Sequence, residues 1–382
     1  MVYKKKVLIT MAYFYPATGG IEKHVYELAK RLVNSYNFEI VVVTSNHLEN
    51  KYKEEIISGI KVYRLPILFK ISNTPINPMW YFYLKKIIKK ENPLLINGRA
   101  PVPGLADLGA ICRGKIPFVL GYHFPSMKKG KSLFDILIFI YENTILKYIL
   151  NKSTVIICSS DYIRKNLFSQ YINKSITITQ GIDSKLFKPT KLKAENSILF
   201  VGNYATHIKG LQELIISFSN VTKKINDIKL VVVGEGNNKE YFELIKKLKL
   251  ENKVIFKGKL SGKPLVKEYQ KATIVVVPSI IDNFPSVILE AMSCGKAVVA
   301  TNVGGIPDIL DSNVGILVEP NNEHQLTDAI TRLYTNKHLL REMGINARKK
   351  IIGHFDWDIQ TKKTKSVFDN VLEINNMEIS SK

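Results

Sequence analysis

The chain has 382 residues, 46% of them hydrophobic, and a formal net charge of +22. That length holds two domains of ordinary size, and the apolar content excludes an intrinsically disordered chain. Most of the basic excess lies in residues 1–185, with 27 Lys and Arg against 12 Asp and Glu. No run of like charge is long and no nucleic-acid motif occurs. The excess therefore points to an anionic membrane surface, a phosphorylated substrate or a solvated lysine-rich face, and not to nucleic acid.

Val7 to Tyr15 reads as a buried first strand. With Lys4–Lys6 ahead of it the start mimics a signal peptide, but the run is short and lacks a small-residue cleavage site. Pro16 to Gly20 is a loop, and Ile21 to Asn34 a helix with Val25, Leu28, Ala29 and Leu32 on one face. The Gly19-Gly20 pair between strand and helix allows backbone amides to approach a phosphate or sugar; a plain turn fits equally well. Strands follow at 38–44 and 60–65, separated by a polar stretch, and Pro66, Pro75 and Pro78 mark 66–80 as a loop. A helix at 80–90 leads to a strand at 94–97. Arg99 sits in the loop beyond it, where it can meet an anionic group, and a helix spans 104–113. Phe118 to Gly121 forms a strand with His123 at its carboxyl end. Lys128-Lys129-Gly130-Lys131 then precedes the most hydrophobic segment, 132–150. Asp135, Glu142 and Lys147 interrupt that segment, so it reads as a buried or interfacial helix and not as a membrane span. A strand at 154–158, a helix at 161–169 capped by Ser159-Ser160-Asp161, and a strand at 176–179 complete the first half. Cys112, Cys158 and Cys294 form no Cys-x-x-Cys pair, which suits a reduced, cytoplasmic chain without a zinc site.

The polar stretch Lys191 to Asn196 separates a second half with the same strand–helix rhythm. A strand at 197–201 feeds the loop 202–210 and a helix at 211–224. A strand at 229–233 ends in Gly234-Glu235-Gly236, which lacks the third glycine of a dinucleotide fingerprint. After a helix at 238–249 come a strand at 254–257 and Gly258-Lys259-Leu260. Residues 273–308 form the most informative unit: a buried strand at 274–277, a loop, a helix opened by Pro285 and closed by Gly295, and another buried strand at 297–301. Ligands of parallel sheets sit at strand carboxyl ends and helix N-termini, where the loop 279–286 lies. Glu290 stands among Val287, Ile288, Leu289, Ala291 and Met292; such a carboxylate is paired or faces a polar ligand. Asp282, eight positions earlier, brackets the same place. Helices follow at 323–335 and 337–352. Asp356-Trp357-Asp358 invites a divalent-metal reading but follows no strand, so we read it as a helix start.

The pattern Asp282-x7-Glu290, set in Pro278-Ser279-x-x-Asp282-Asn283-Phe284-Pro285-Ser286-Val287-Ile288-Leu289-Glu290-Ala291-Met292, resembles the donor-site signature of retaining GT-B glycosyltransferases of family 4 (glycosyl transferases group 1). Gly19-Gly20-Ile21-Glu22-Lys23-His24-Val25 is similar to the family's opening motif, and the likeness extends over nearly the whole chain. It implies an α/β fold of two Rossmann-like domains facing across a cleft: an acceptor-binding domain at 1–187, a nucleotide-sugar-binding domain at 188–355, and a helix at 356–382 returning to the first domain. By the same resemblance Lys209, Ser286-Val287 and Gly19-Gly20 hold the departing diphosphate. Glu290 binds the ribose, Asp282 the sugar hydroxyls, and His123 the face of the donor sugar. Asn203, Gly234, Leu260, Phe284 and Pro285 complete the donor set, with Leu260 beside the base; His24 reads as structural or as a helix-surface residue. The implied catalytic residues are His123, Lys209 and Asp282, with no metal and no cofactor beyond the nucleotide-sugar. Transfer would go with retention to a glycan or lipid-linked acceptor at the inner face of a membrane. Three positions depart from the pattern: Asp282 where Glu is usual, Gln180 where Asn is usual, and Asn203 where an Arg is usual. The last leaves one cation for the diphosphate and keeps open a non-catalytic, sugar-nucleotide-binding partner of another transferase. An epimerase or a phosphorylase on the same fold is a further alternative, though no pyridoxal-lysine motif is present.

Overall fold

The computed structural model describes residues 4–17, 19–72, 74–125, 133–191, 194–237 and 239–380. The chain divides into two units, one of Met1–Thr179 with Gln360–Lys382, the other Gln180–Ile359.

The first unit is built on a sheet most of whose inner strands are largely β-branched and apolar, the composition of strands buried on both faces. In chain order they are β1 (Lys5–Met11), β2 (Phe38–Ser45), β3 (Lys53–Ile57), β4 (Ile60–Leu65), then, beyond a two-stranded hairpin of β5 (Phe69–Ile71) and β6 (Thr74–Ile76), β7 (Leu95–Ala100), β8 (Phe118–Tyr122), β9 (Val155–Cys158) and β10 (Ser175–Thr177). The spatial order is β10-β9-β8-β7-β1-β2-β4-β3, parallel except for β3, which runs antiparallel to β4. The order reverses between β1 and β7, so this sheet opens a ligand crevice at the carboxyl ends of those two strands. The helices of this unit include α1 (Gly20–Ser35), α2 (Trp80–Glu91), α3 (Leu105–Cys112) and the run made of α4 (Leu133–Tyr141), a π-helical turn (Glu142–Leu146) and α5 (Lys147–Lys152). One face of that run is buried through Tyr141, Leu146, Ile149 and Leu150, while Ile136, Leu137 and Ile140 are exposed. The five-residue step from Tyr141 to Leu146 is the length of one π turn, which keeps both on the buried face.

Several expected boundaries move. β1 ends at Met11, four residues short of Tyr15, and the loop turns at Tyr15-Pro16. The polar stretch before Gly59 contains β3, an edge strand whose alternating exposure admits Lys and Glu. The proline-marked loop carries the β5–β6 hairpin. β7 extends to Ala100, so Arg99 lies on a strand and not in a loop. The expected helix 161–169 is a π turn followed by a 3-10 segment. Lys128-Lys129-Gly130-Lys131 falls outside the described residues.

The second unit has β11 (Ser197–Val201), β12 (Lys229–Val233), β13 (Val254–Phe256), β14 (Ile274–Val277), β15 (Val298–Thr301) and β16 (Gly315–Val318), all parallel, in the order β13-β12-β11-β14-β15-β16. Its order reverses between β11 and β14. The helices are α6 (Leu211–Lys224), α7 (Lys239–Lys247), α8 (Gly262–Lys271), α9 (Ser286–Ser293), α10 (Ile306–Ile309), α11 (Glu323–Thr335) and α12 (Lys337–Lys350). The last helix, α13 (Trp357–Ser380), begins in the second unit and continues in the first from Gln360. There Phe368 packs its ring 6.2 Å from that of Phe38, and Asp369 pairs with Lys5 at 2.6 Å. Asp356 starts this helix: its Oδ1 accepts the Asp358 amide at 2.9 Å, as the helix-start reading requires.

Candidate active site

In the second unit the loops after β11 and β14 meet at the reversal of strand order. Two glycines make the approach close. Gly210 has φ +71, and a Cβ there would lie 1.9 Å from the Pro278 carbonyl oxygen; at Gly304, φ +53, it would lie 2.0 Å from that of Asp282. Both the dihedral and the space exclude any other residue. The packing brings Lys209, in a short 3-10 turn (His207–Lys209), to Asp282: Nζ lies 2.6 Å from Oδ2. Asp282 also accepts from the Ser279 hydroxyl at 3.2 Å and, through Oδ1, from the Asn283 amide at 2.9 Å. Its side chain is 12% exposed and that of Lys209 30%.

Phe284, Pro285, Ser286 and Val287 lead from that loop into α9. Pro285 is the N-cap, in extended backbone, so the helix starts one residue later than a proline in its first position would give. The helix has no side-chain cap at this end. Its first amides are therefore donors for an anion. Phe284 is buried, its carbonyl accepting from Gln180 Nε2 at 2.6 Å, which gives the unusual Gln180 a structural use. One turn into α9, Glu290 is buried, and its Oε2 accepts the Tyr269 hydroxyl at 2.7 Å. The phenol is pushed well above its ordinary value by burial, then by the carboxylate beside it, so Tyr269 remains the donor. Tyr269, on α8, was not legible as a site residue, because its spacing from Leu265 and Val266 matches a core stripe.

The remaining positions lie where the loops after β11, β12 and β13 meet: the Tyr204 amide donates to the Glu235 carbonyl at 2.8 Å, the Gly234 amide to that of Gly258 at 2.9 Å, and a Cβ on Gly234 would lie 1.8 Å from the Gly202 carbonyl oxygen. Asn203 is exposed and its Oδ1 accepts the Ala205 amide at 2.9 Å, shaping its own loop. Gly234 follows β12. Leu260 is half-buried against the core of this unit, and neighbouring Lys259 pairs with Glu235 at 3.0 Å.

The first unit has its own constellation at the β1–β7 reversal. Gly19 is the N-cap of α1 and Gly20 its first residue, both exposed. The Glu22 carboxylate turns back over Gly19, and burial raises its pKa. Arg99, at the end of β7, is 4% exposed; His123 follows β8, and Arg99 Nη1 lies 3.3 Å from His123 Nε2. The His24 ring on α1 stands 5.5 Å from that of His123, edge to face. His24 is buried and titrates at about 3, because of burial and then the Arg99 charge. Among the described residues no group of three or more His, Cys, Asp or Glu is placed to hold a metal ion, and no helix is long and apolar enough to cross a membrane.

The sequence matches the family model described as Glycosyltransferase Family 4 over residues 18–186 and the model described as Glycosyl transferases group 1 over residues 182–350. Among curated relatives, the gpi3 subunit of phosphatidylinositol N-acetylglucosaminyltransferase from Schizosaccharomyces pombe is 23% identical over 96% of this chain and 81% of that protein. Among solved structures, sucrose-phosphate synthase from Thermosynechococcus elongatus superposes with a TM-score of 0.80 at 21% identity, covering 97% of this chain and all of that one (100%). The Anabaena protein HepE in complex with UDP-glucose gives a TM-score of 0.72 at 18% identity over 96% and 99% of the two chains. At these identities the structural matches establish the fold, two Rossmann-like domains of the GT-B type, and the family models establish the chemistry: the chain belongs to the group 1, family 4 glycosyltransferases and is a glycosyltransferase.

Proposed function

We propose that this enzyme moves a sugar from a nucleotide-diphospho-sugar to a glycan or lipid-linked acceptor, with retention at the anomeric carbon and without a metal ion. The observation that carries the donor half is the meeting, within one unit, of a lysine, an uncapped helix N-terminus and a buried carboxylate. Lys209 and the Ser286-Val287 amides stabilise negative charge on the leaving diphosphate. Glu290, oriented by Tyr269, takes the ribose hydroxyls. Asp282 holds sugar hydroxyls, and the family resemblance gives His123 a contact with the donor sugar. The bond from the anomeric carbon to the phosphate oxygen breaks as the bond to the acceptor oxygen forms on the same face. The acceptor's proton passes to the leaving phosphate, so no separate base is required. A UDP-glucose complex of a protein of the same fold supports a UDP-sugar donor.

The exposed apolar face of the 133–152 run supports an acceptor presented at a membrane surface. It lies on the helical layer that also carries the exposed Lys85, Lys86 and Lys89 of α2, as α2 packs on α3 and α3 on α5. An exposed apolar stripe on a layer that also carries lysines can bind the interface of anionic lipids without spanning it. The relative named for phosphatidylinositol as acceptor agrees with this. On this reading the protein works at the inner face of the membrane.

A thermal-shift screen of UDP, GDP, ADP and CDP and their sugar conjugates tests the donor assignment. One nucleotide raising the midpoint of the wild type but not of Glu290→Ala is the expected result. No shift with any of them overturns the assignment.

A further inference from the structure

We propose that Arg99 is a positioning residue that holds the His123 ring in its neutral, Nδ1-protonated form. The proposal takes from the transferase reading only that His123 matters to transfer; the state of the ring can be measured without it.

A guanidinium has five N–H donors and no acceptor. With Arg99 Nη1 3.3 Å from His123 Nε2, the ring nitrogen accepts and carries no proton. The single proton of a neutral imidazole is then on Nδ1, the opposite of the tautomer a free imidazole favours. The surroundings oppose a second proton. His123 is held well below its ordinary pKa by burial, then by the Arg99 charge, then by His24. Those three residues come from β7, α1 and the end of β8.

Arg99 is placed for this at a cost in stability. Burial draws its pKa down to about 10, and its Nε and Nη2 find no hydrogen-bond partner among the described residues. A buried cation left in this way destabilises a fold, so packing does not account for it. The strand beside it leaves the space. Gly121 on β8 is the register partner of Arg99, and a Cβ there would lie 2.8 Å from Nη1 and 2.9 Å from Cδ. The consequence for chemistry is definite. With Nε2 occupied by a donor and the ring kept neutral, His123 is no general base. It fits a transfer in which the leaving phosphate collects the proton.

The test is ¹⁵N NMR of ring-labelled histidine on the full chain, comparing wild type with Arg99→Met, Arg99→Lys and Gly121→Ala. In wild type the His123 ring should show the Nδ1–H pattern and stay neutral through the pH range in which an ordinary imidazole titrates. Arg99→Met removes the donor and the charge, so the ring should move toward the Nε2–H form and its midpoint should rise by about 1–3 units. Gly121→Ala displaces the guanidinium without altering either partner and should shift the spectrum in the same direction. Arg99→Lys should keep the wild-type pattern. On the transferase reading kcat then falls in the Met and Ala variants with donor KM held, and the UDP thermal shift is retained in all. An Nε2–H wild-type ring, or a midpoint unmoved in Arg99→Met, overturns the proposal. If Arg99→Met does not fold, the wild-type spectrum and Gly121→Ala decide it. Loss of every nucleotide shift would instead strike the donor assignment and leave this result standing.

Discussion

The Lys209–Asp282 pair sets up a competition that Asp282→Asn exposes. In the unliganded protein the lysine already has a counter-charge 2.6 Å away, and a diphosphate must share or displace it. Asparagine keeps Oδ1 to accept the Asn283 amide, and its Nδ2, in the place of Oδ2, donates to the Ser279 hydroxyl, so the loop retains both bonds. Lys209 loses its counter-charge and its acceptor. An exposed pair is worth about 0–1 kcal/mol and breaking a buried one costs about 3–5 kcal/mol. With side chains 30% and 12% exposed, this pair stands near the lower range, at about 1 kcal/mol. Freeing Lys209 should therefore tighten UDP binding by about fivefold while sugar transfer falls. Lys209→Met is the control: it removes a charge-assisted hydrogen bond of about 1.5–3 kcal/mol, so UDP should bind about 10- to 150-fold more weakly. Isothermal titration calorimetry with UDP, at constant salt, reads both. Weaker UDP binding in Asp282→Asn would refute the competition, since it would make the carboxylate part of the nucleotide site and not a rival for its cation.

Tyr269→Phe leaves the buried Glu290 carboxylate without its phenol donor, a loss of about 1.5–3 kcal/mol, and a lower melting temperature together with a smaller nucleotide shift is expected. Gly210→Ala forces a Cβ against the Pro278 carbonyl at φ +71; we expect a loss of at least about 2 kcal/mol by denaturant titration and a nucleotide shift that disappears with it. Asp107, which accepts from the Gly104 amide and the Tyr141 hydroxyl, has its pKa raised by burial from 3.8 to about 6. The folded state thus favours the protonated acid. Its contribution is full below pH 4 and is lost as pH rises through about 6, a change of about 3 kcal/mol. Asp107→Asn should flatten the melting temperature over that window. Ile136→Asp with Ile140→Asp should abolish flotation with anionic vesicles, and equal recovery of wild type with neutral and anionic vesicles would remove the membrane reading.

Much of this was legible in the chain because parallel strands buried on both faces are continuous apolar runs, and Val41–Val43 or Val275–Val277 admit no other reading. Glu290 was legible for the converse reason, a carboxylate in an apolar helix. Arg99 was misplaced because Asn97-Gly98-Arg99 looks like a turn. The strand continues through Gly98 because the Phe118 ring occupies the space of its side chain, 2.6 Å from where a Cβ would be. The polar Lys53–Ile57 strand has no apolar signature, since it is an edge paired on one side only. Tyr269 stayed hidden because burial alone and burial with a hydrogen bond look alike in periodicity. Two positions that depart from the family pattern, Gln180 and Asn203, show their roles only through partners far along the chain or in their own loop.

Counted in codons, the helical run 133–152 carries one more than an α-helix of the same reach needs. The π turn between Tyr141 and Leu146 absorbs it, and Tyr141 before it stays on the same buried side as Leu146, Ile149 and Leu150 after it. Removing Asn143 should let the turn relax to α with Tyr141 still on the buried side that Leu146, Ile149 and Leu150 share. A lost triplet there should be tolerated by the fold. The same loss in β7 would send every following side chain of the strand to the opposite face of the sheet.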